Sequence, residues 1–176
     1  MDNNFLRCII PILYWETDRY TDSPGDLGGA TKYGVRQRTL AMHRNTVVSK
    51  DDVRNLTLEE AQEIYYKLFW LPNDCDKLPL PLALLLFDGA VNQRVTDIRK
   101  FMQEALGVVA DGVFGPKTLA AAKNCNILAV IKEFMALRAV KYSKSKTVAV
   151  HGHGWYRRMF DMYQRALNMC NETKGN

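Results

Sequence analysis

The chain has 176 residues, 47% of them apolar, with 24 Lys and Arg against 19 Asp and Glu and a formal net charge of +5 at neutral pH. That length buries a core without disulfide or metal staples and fits one domain, and the apolar share excludes disorder as the main state. The basic excess suits an anionic partner such as nucleic acid, anionic lipid or bacterial cell wall, although no Lys/Arg-rich block occurs.

Apolar residues recur at helical spacing almost everywhere, and period-2 alternation is nearly absent. Residues 4–18 form a candidate first helix, interrupted or kinked near Pro11. The apolar run from Phe5 to Trp15 is broken by Arg7 and Pro11 and falls far short of the roughly 20 residues a membrane span needs. No basic segment precedes it and no small-residue cleavage site follows, so it reads as part of the mature fold and not as a signal peptide. Residues 19–35, rich in Gly, Asp, Thr and Ser, form an irregular loop or a small β-hairpin. One or two short helices occupy 36–56. Thr57-Leu58-Glu59-Glu60 is a capping box that opens a helix with Ala61, Ile64, Tyr65, Leu68 and Phe69 on one face, ended by Pro72.

Residues 81–93 are apolar all round and predict the central buried helix. Thr96 begins another, with Ile98, Phe101, Met102, Ala105 and Leu106 at helical spacing and Gly107 as its stop. Asp111-Gly112 marks a turn, and Gly115-Pro116 places a proline at the start of a helix over 116–123. Longer helices follow over 127–145 and 154–170, with His151-Gly152-His153-Gly154 as a glycine-rich loop anchored by Trp155. The fold class is all-α, with at most one short hairpin. Cys8, Cys75, Cys125 and Cys170 lie far apart without a C-x-x-C pair, which argues against a zinc ribbon, an iron–sulfur site or a thioredoxin-like motif. They read as buried or free thiols in a reducing compartment.

Glu16 is the leading candidate for chemistry. On a helical wheel it shares a face with Phe5, Ile9 and Ile12, and an apolar setting disfavours the charged form of a carboxyl, as a general acid requires. The alternative is a helix-end Glu that reaches solvent or pairs with Arg19. The stretch from Glu16 to Val35 then holds four glycines and three aspartates. A glycine-rich turn can fold Asp26 back toward Glu16, and glycoside hydrolysis needs such a pair: one carboxyl protonates the leaving oxygen, the other attacks the sugar or activates a water. Thr31 could hold that water. Asp26 and Thr31 could equally stabilise the turn locally.

Asp88 and Asn92 stand i, i+4 on the most apolar helix and need partners there; they either satisfy backbone groups of the 19–35 loop or line a sugar cleft. Tyr20, Tyr33, Trp70 and Trp155 could stack on sugar faces or belong to the core. His151 and His153 are two residues apart, but the third histidine, His43, is remote and no H-E-x-x-H helix is present, so no metal site is expected.

The run Glu16…Tyr20-x-Asp22-x-Pro24-x-Asp26-x-Gly28-Gly29-x-Thr31-x-Tyr33-Gly34-Val35 resembles the N-terminal signature of glycoside hydrolase family 108, peptidoglycan N-acetylmuramidases of phage endolysins and bacterial toxin-export systems. Tyr65-Tyr66-Lys67-Leu68-Phe69-Trp70 resembles that family's Ile-Tyr…Tyr-Trp helix, and Phe87-Asp88-Gly89-Ala90-Val91-Asn92 its F-D-x-A-V-N segment. The stretch from Ala110 to Leu119 resembles the D-G-x-x-G-P-x-T-L turn of its C-terminal peptidoglycan-domain half, and Gly154-Trp155-Tyr156-Arg157-Arg158 its closing G-W-x-x-R. The resemblance spans residues 5 to about 165 in order. It implies that Glu16 is the acid and that Asp26 and Thr31 serve the water, in a layout similar to phage-type lysozymes. The chain departs from the family where E-G-G-Y becomes Glu16-Thr17-Asp18-Arg19-Tyr20, which makes Asp18 a second candidate carboxylate.

The resemblance therefore implies a compact, lysozyme-like all-α muramidase that cleaves the β-1,4 bond between N-acetylmuramic acid and N-acetylglucosamine. Residues 1–93 would form the catalytic region, with 94–176 packed on it as a single unit. Catalytic roles fall to Glu16, Asp26 and Thr31, and substrate contacts to Tyr20, Tyr33, Asp88, Asn92 and Trp155. No metal or organic cofactor is expected. The expected partner is peptidoglycan, not nucleic acid, and the protein is expected to be a monomer without stable membrane insertion. Made in the bacterial cytoplasm, it would reach the periplasm or wall through a holin or secretion machinery. The rival reading is a catalytically inactive peptidoglycan-binding protein. A peptidoglycan amidase or peptidase would need a zinc site or a Cys/His nucleophile, and neither pattern occurs.

Overall fold

A computed structural model describes residues 1–22 and 29–172. Among these residues the chain is helical apart from one two-stranded hairpin. The elements are α1 (Asn3–Glu16), β1 (Thr31–Lys32), β2 (Val35–Arg36), α2 (Gln37–Arg44), α3 (Lys50–Arg54), α4 (Leu58–Tyr65), α5 (Leu80–Asn92), α6 (Val95–Ala105), α7 (Pro116–Asn124), α8 (Ile127–Ser143) and α9 (Val148–Glu172). A π-helical turn (Tyr66–Trp70) and two 3₁₀ turns link α4 to α5. Two units emerge, Met1–Phe69 and Trp70–Asn176. Within the second unit, α5 packs with α6, α8 and α9. No helix among the described residues is long and apolar enough to cross a membrane.

In the first unit, α1 opens on Asp2, whose carboxylate accepts the Phe5 N–H at 2.8 Å; this satisfies a donor that no helix can pair internally. The helix runs through Pro11, which contributes a buried ring, and its stripe of Phe5, Cys8, Ile9 and Ile12 is fully buried. Phe5 meets Tyr66 edge to face, ring centroids 4.9 Å apart. α3 carries a complete capping box: Ser49 Oγ accepts the Asp52 N–H at 3.1 Å while Asp52 accepts the Ser49 N–H at 2.7 Å. The box expected at α4 is half made. Thr57 Oγ1 accepts the Glu60 N–H at 3.2 Å, but the Glu60 carboxylate turns to Arg44, accepting from Nε at 2.7 Å and from Nη2 at 2.9 Å. A bidentate charged pair is stronger than the second arm of a cap, and here it ties α2 to α4.

In the second unit, α5 is buried on every side from Pro81 to Ala90. Gly89 allows α6 to approach closely: a Cβ there would meet Ile98 Cγ2 at 2.8 Å. The Asp111-Gly112 turn is held from inside by Gln103, which is almost wholly buried. Its amide donates to Asp111 Oδ1 (2.8 Å), the Val113 carbonyl (3.0 Å) and Thr118 Oγ1 (3.3 Å), and its carbonyl accepts the Gly112 N–H at 2.7 Å. This one residue joins α6, the turn and α7.

The expected glycine loop at 151–154 is instead part of α9, which begins at Val148. His151 and Trp155 stand one turn apart with centroids 5.7 Å apart, and Trp155 stacks on Tyr142 of α8 at 4.9 Å. That aromatic packing outweighs the roughly 1 kcal/mol each glycine costs a helix. The four cysteines are free thiols, three of them buried, and burial pushes the Cys8 thiol up to about 12.

Candidate active site

The last residue of α1 is Glu16, on the same stripe as Phe5, Ile9 and Ile12, but half-buried where the stripe runs out. What fixes its carboxyl is the hairpin. Lys32 pairs with Val35, so the loop is the two residues Tyr33 and Gly34, with φ of 52° and 71°. Two consecutive positive φ values make the tight reversal that matches strand twist, and glycine serves the second position without strain. Gly34 has a further reason to be glycine. A Cβ there would stand 2.5 Å from the Tyr65 hydroxyl oxygen and 2.8 Å from Glu16 Cδ, with Glu16 Oε2 nearer still. The acid candidate is therefore pressed against the backbone of the turn. Tyr65, from α4 and almost wholly buried, donates its hydroxyl to the Tyr33 carbonyl at 2.9 Å.

The hairpin is in turn fastened to α3. Lys32 Nζ donates to the carbonyls of Arg54 and Leu56, both at 2.9 Å. These are carbonyls at and just past a helix C-terminus, where a cation is favoured. The Arg54 guanidinium lies 4.5 Å from the Tyr20 ring centroid, and Lys50 pairs with Asp22 at 2.9 Å. Thr31 pairs through its backbone with Thr21, and its hydroxyl donates to the Gly29 carbonyl at 3.2 Å. This bond is local to the turn, and it leaves the oxygen's lone pairs as acceptors. Asp26 lies outside the described residues. Asp18 is exposed. Glu16, Thr31 and Tyr33 thus belong to one arrangement of α1, the hairpin and α4, with Tyr20 on the segment beside it.

The remaining candidates belong to the second unit. Asp88 is fully buried. Its Oδ2 accepts from Arg138 Nη2 at 2.8 Å and its Oδ1 from Arg158 Nε at 2.7 Å. Burial alone would raise this carboxyl, but the two guanidiniums outweigh it and hold Asp88 below the ordinary carboxylate range. Both oxygens are committed, so Asp88 pins α8 and α9 to α5. Asn92 donates back to the Asp88 carbonyl at 2.8 Å and to its Oδ1 at 3.2 Å, and Gln93 accepts from Arg138 Nε at 2.8 Å. Trp155 is half-buried in its stack with Tyr142, and Trp70 is core, edge to face with Phe87 at 5.4 Å. No cluster of three or more His, Cys, Asp or Glu able to hold a metal occurs among the described residues.

A model of the family described as Glycosyl hydrolase 108 matches residues 10–93. Among solved structures, the chain is similar to SagA of Brucella abortus, at 32% identity over 94% of each chain with a TM-score of 0.84. The chain belongs to the glycosyl hydrolase 108 family. It is accordingly a glycosyl hydrolase. No curated protein matches it.

Family membership sharpens the meaning of Thr17. The usual family pattern has glycine after the Glu, and Thr17 keeps a backbone suited to glycine, φ 57° and ψ 158°. Its N–H still closes α1 on the Leu13 carbonyl at 3.0 Å. The altered residues thus leave the helix end in place directly after Glu16. Two members of the arrangement were hidden in the sequence. Tyr65 read as one apolar position of α4, and Gly34 as one glycine among four; only the folded hairpin shows that the Glu16 carboxyl and the Tyr65 hydroxyl both close on the Gly34 backbone.

Proposed function

We propose that this glycosyl hydrolase acts on peptidoglycan, cleaving the β-1,4 bond between N-acetylmuramic acid and N-acetylglucosamine, with Glu16 as general acid. Glu16 gives its proton to the glycosidic oxygen as the bond to the anomeric carbon breaks. A water held by Thr31 and activated by Asp26 adds its oxygen to that carbon and passes its proton to the Asp26 carboxylate. Tyr20 and Tyr33 offer aromatic faces to the sugars, and the half of the chain after residue 93 adds glycan contacts. The supporting observation is the seat of Glu16: a carboxyl at the end of an apolar stripe, confined by Gly34 and Tyr65, is built for position and not for solubility.

Glu16→Gln keeps the shape and removes the proton. The expected outcome is a fall in turnover on purified murein of about 10²-fold or more, with unchanged thermal unfolding. Near-normal turnover in the folded variant would sink the assignment. The protein is proposed to work as a monomer after release to the wall by a holin or a secretion route.

A further inference from the structure

We infer that Tyr65 is a positioning residue for Glu16, acting through the carboxyl's inner oxygen; this rests on the reading of Glu16 as the acid. Three observations carry it. The Tyr65 hydroxyl oxygen and Glu16 Oε2 crowd the same point, the place a Cβ on Gly34 would take. The Tyr65 ring is almost wholly buried and lies 5.7 Å from Phe69, centroid to centroid, so the hydroxyl sits on a fixed support. The hydroxyl proton is used on the Tyr33 carbonyl at 2.9 Å, which locks its direction and ties it to the turn that carries Gly34.

A long carboxyl side chain at a helix end has several rotamers. Here the turn backbone and the phenol oxygen form two walls of a slot that admits Oε2, and Oε1 lies farther from Gly34. The slot selects one rotamer and holds Oε2 against the turn, leaving Oε1 as the farther oxygen. An acid that must meet a glycosidic oxygen at hydrogen-bond distance gains rate from such confinement. Tyr65 does not need to touch the sugar.

The test uses the full chain and murein as substrate. Tyr65→Phe retains the ring and removes the hydroxyl, and with it both the wall oxygen and the hydrogen bond to the Tyr33 carbonyl. The expected result is a fall in kcat of about tenfold, KM within about twofold of wild type, and a cooperative unfolding transition. Glu16→Asp stops one methylene short of the slot, and adding Tyr65→Phe to it lowers kcat no further. Wild-type kcat in Tyr65→Phe, or the same tenfold loss in both backgrounds, overturns the inference, because Tyr65 then does not act through Glu16. A rise in KM at constant kcat also overturns it. Failure of the underlying reading looks different: Glu16→Gln would itself stay active, whatever Tyr65 does. If Tyr65→Phe unfolds, Tyr65→Met, which fills the core without an oxygen, is read by the same split.

Discussion

Thr17 carries a backbone that a β-branched residue adopts at a cost. Its φ of 57° and ψ of 158° fall at the edge of a region that is essentially glycine's, where other residues store about 1–3 kcal/mol. Replacing it by glycine relieves that strain and returns part of the gain as unfolded-state freedom. Thr17→Gly is therefore predicted to stabilise the protein by about 1 kcal/mol, read by urea unfolding; a destabilised variant would show that Thr17 makes contacts worth more than its strain. At this scale much was legible beforehand. The stripe of Phe5, Ile9, Ile12 and Glu16 follows from helical spacing, and the structure keeps it. The partners of Glu16 were not legible, because a hairpin register and the direction of a tyrosine hydroxyl are set by tertiary packing and leave no periodic trace.

Among the elements, the capping signals, the Gly-Pro helix start and the all-apolar α5 were readable because each has a local cause. Two departures have tertiary causes. Glu60 leaves its cap for Arg44, and the glycines at 152 and 154 are carried into α9 by the Tyr142–Trp155 stack. The larger gap concerns Asp88. Its position on an apolar helix announced that it needed partners, but nothing in the spacing pointed to Arg138 and Arg158, which lie far along the chain. Removing the charge leaves two buried guanidiniums uncompensated, so Asp88→Asn is predicted to cost about 3–5 kcal/mol in urea unfolding. The pH dependence follows from the sign. A carboxyl depressed in the folded state contributes stability that is present above its unfolded value of about 3.9 and is lost as pH falls below that, through the folded value. Wild-type stability should drop over that acid range, and the Asp88→Asn difference should shrink with it. A difference independent of pH would mean that the pair contributes shape and not charge.

At the scale of the whole molecule, the net charge of +5 is spread along the chain. Peptidoglycan carries carboxylates on its stem peptides, so the basic excess should assist its capture. Sedimentation of Glu16→Gln with murein sacculi, where no cleavage confuses binding, should weaken several-fold between about 0.05 and 0.5 M salt as screening shortens to a few ångströms. Salt-independent binding would instead assign capture to aromatic stacking. Fold class was legible at this scale, since nearly every segment has helical periodicity and too few residues alternate to build a sheet. Where the chain divides into units was less so, because α5 is apolar all round and its sequence does not say which helices cover it.

The central claim is that Glu16 transfers a proton to a glycosidic oxygen. The most direct measurement is mass spectrometry of the soluble products of murein digestion, for the wild type and Glu16→Gln side by side. The account predicts fragments with reducing N-acetylmuramic acid ends from the wild type and none from the folded variant. Intact glycan strands from both, or the same muramic ends from both, would contradict it.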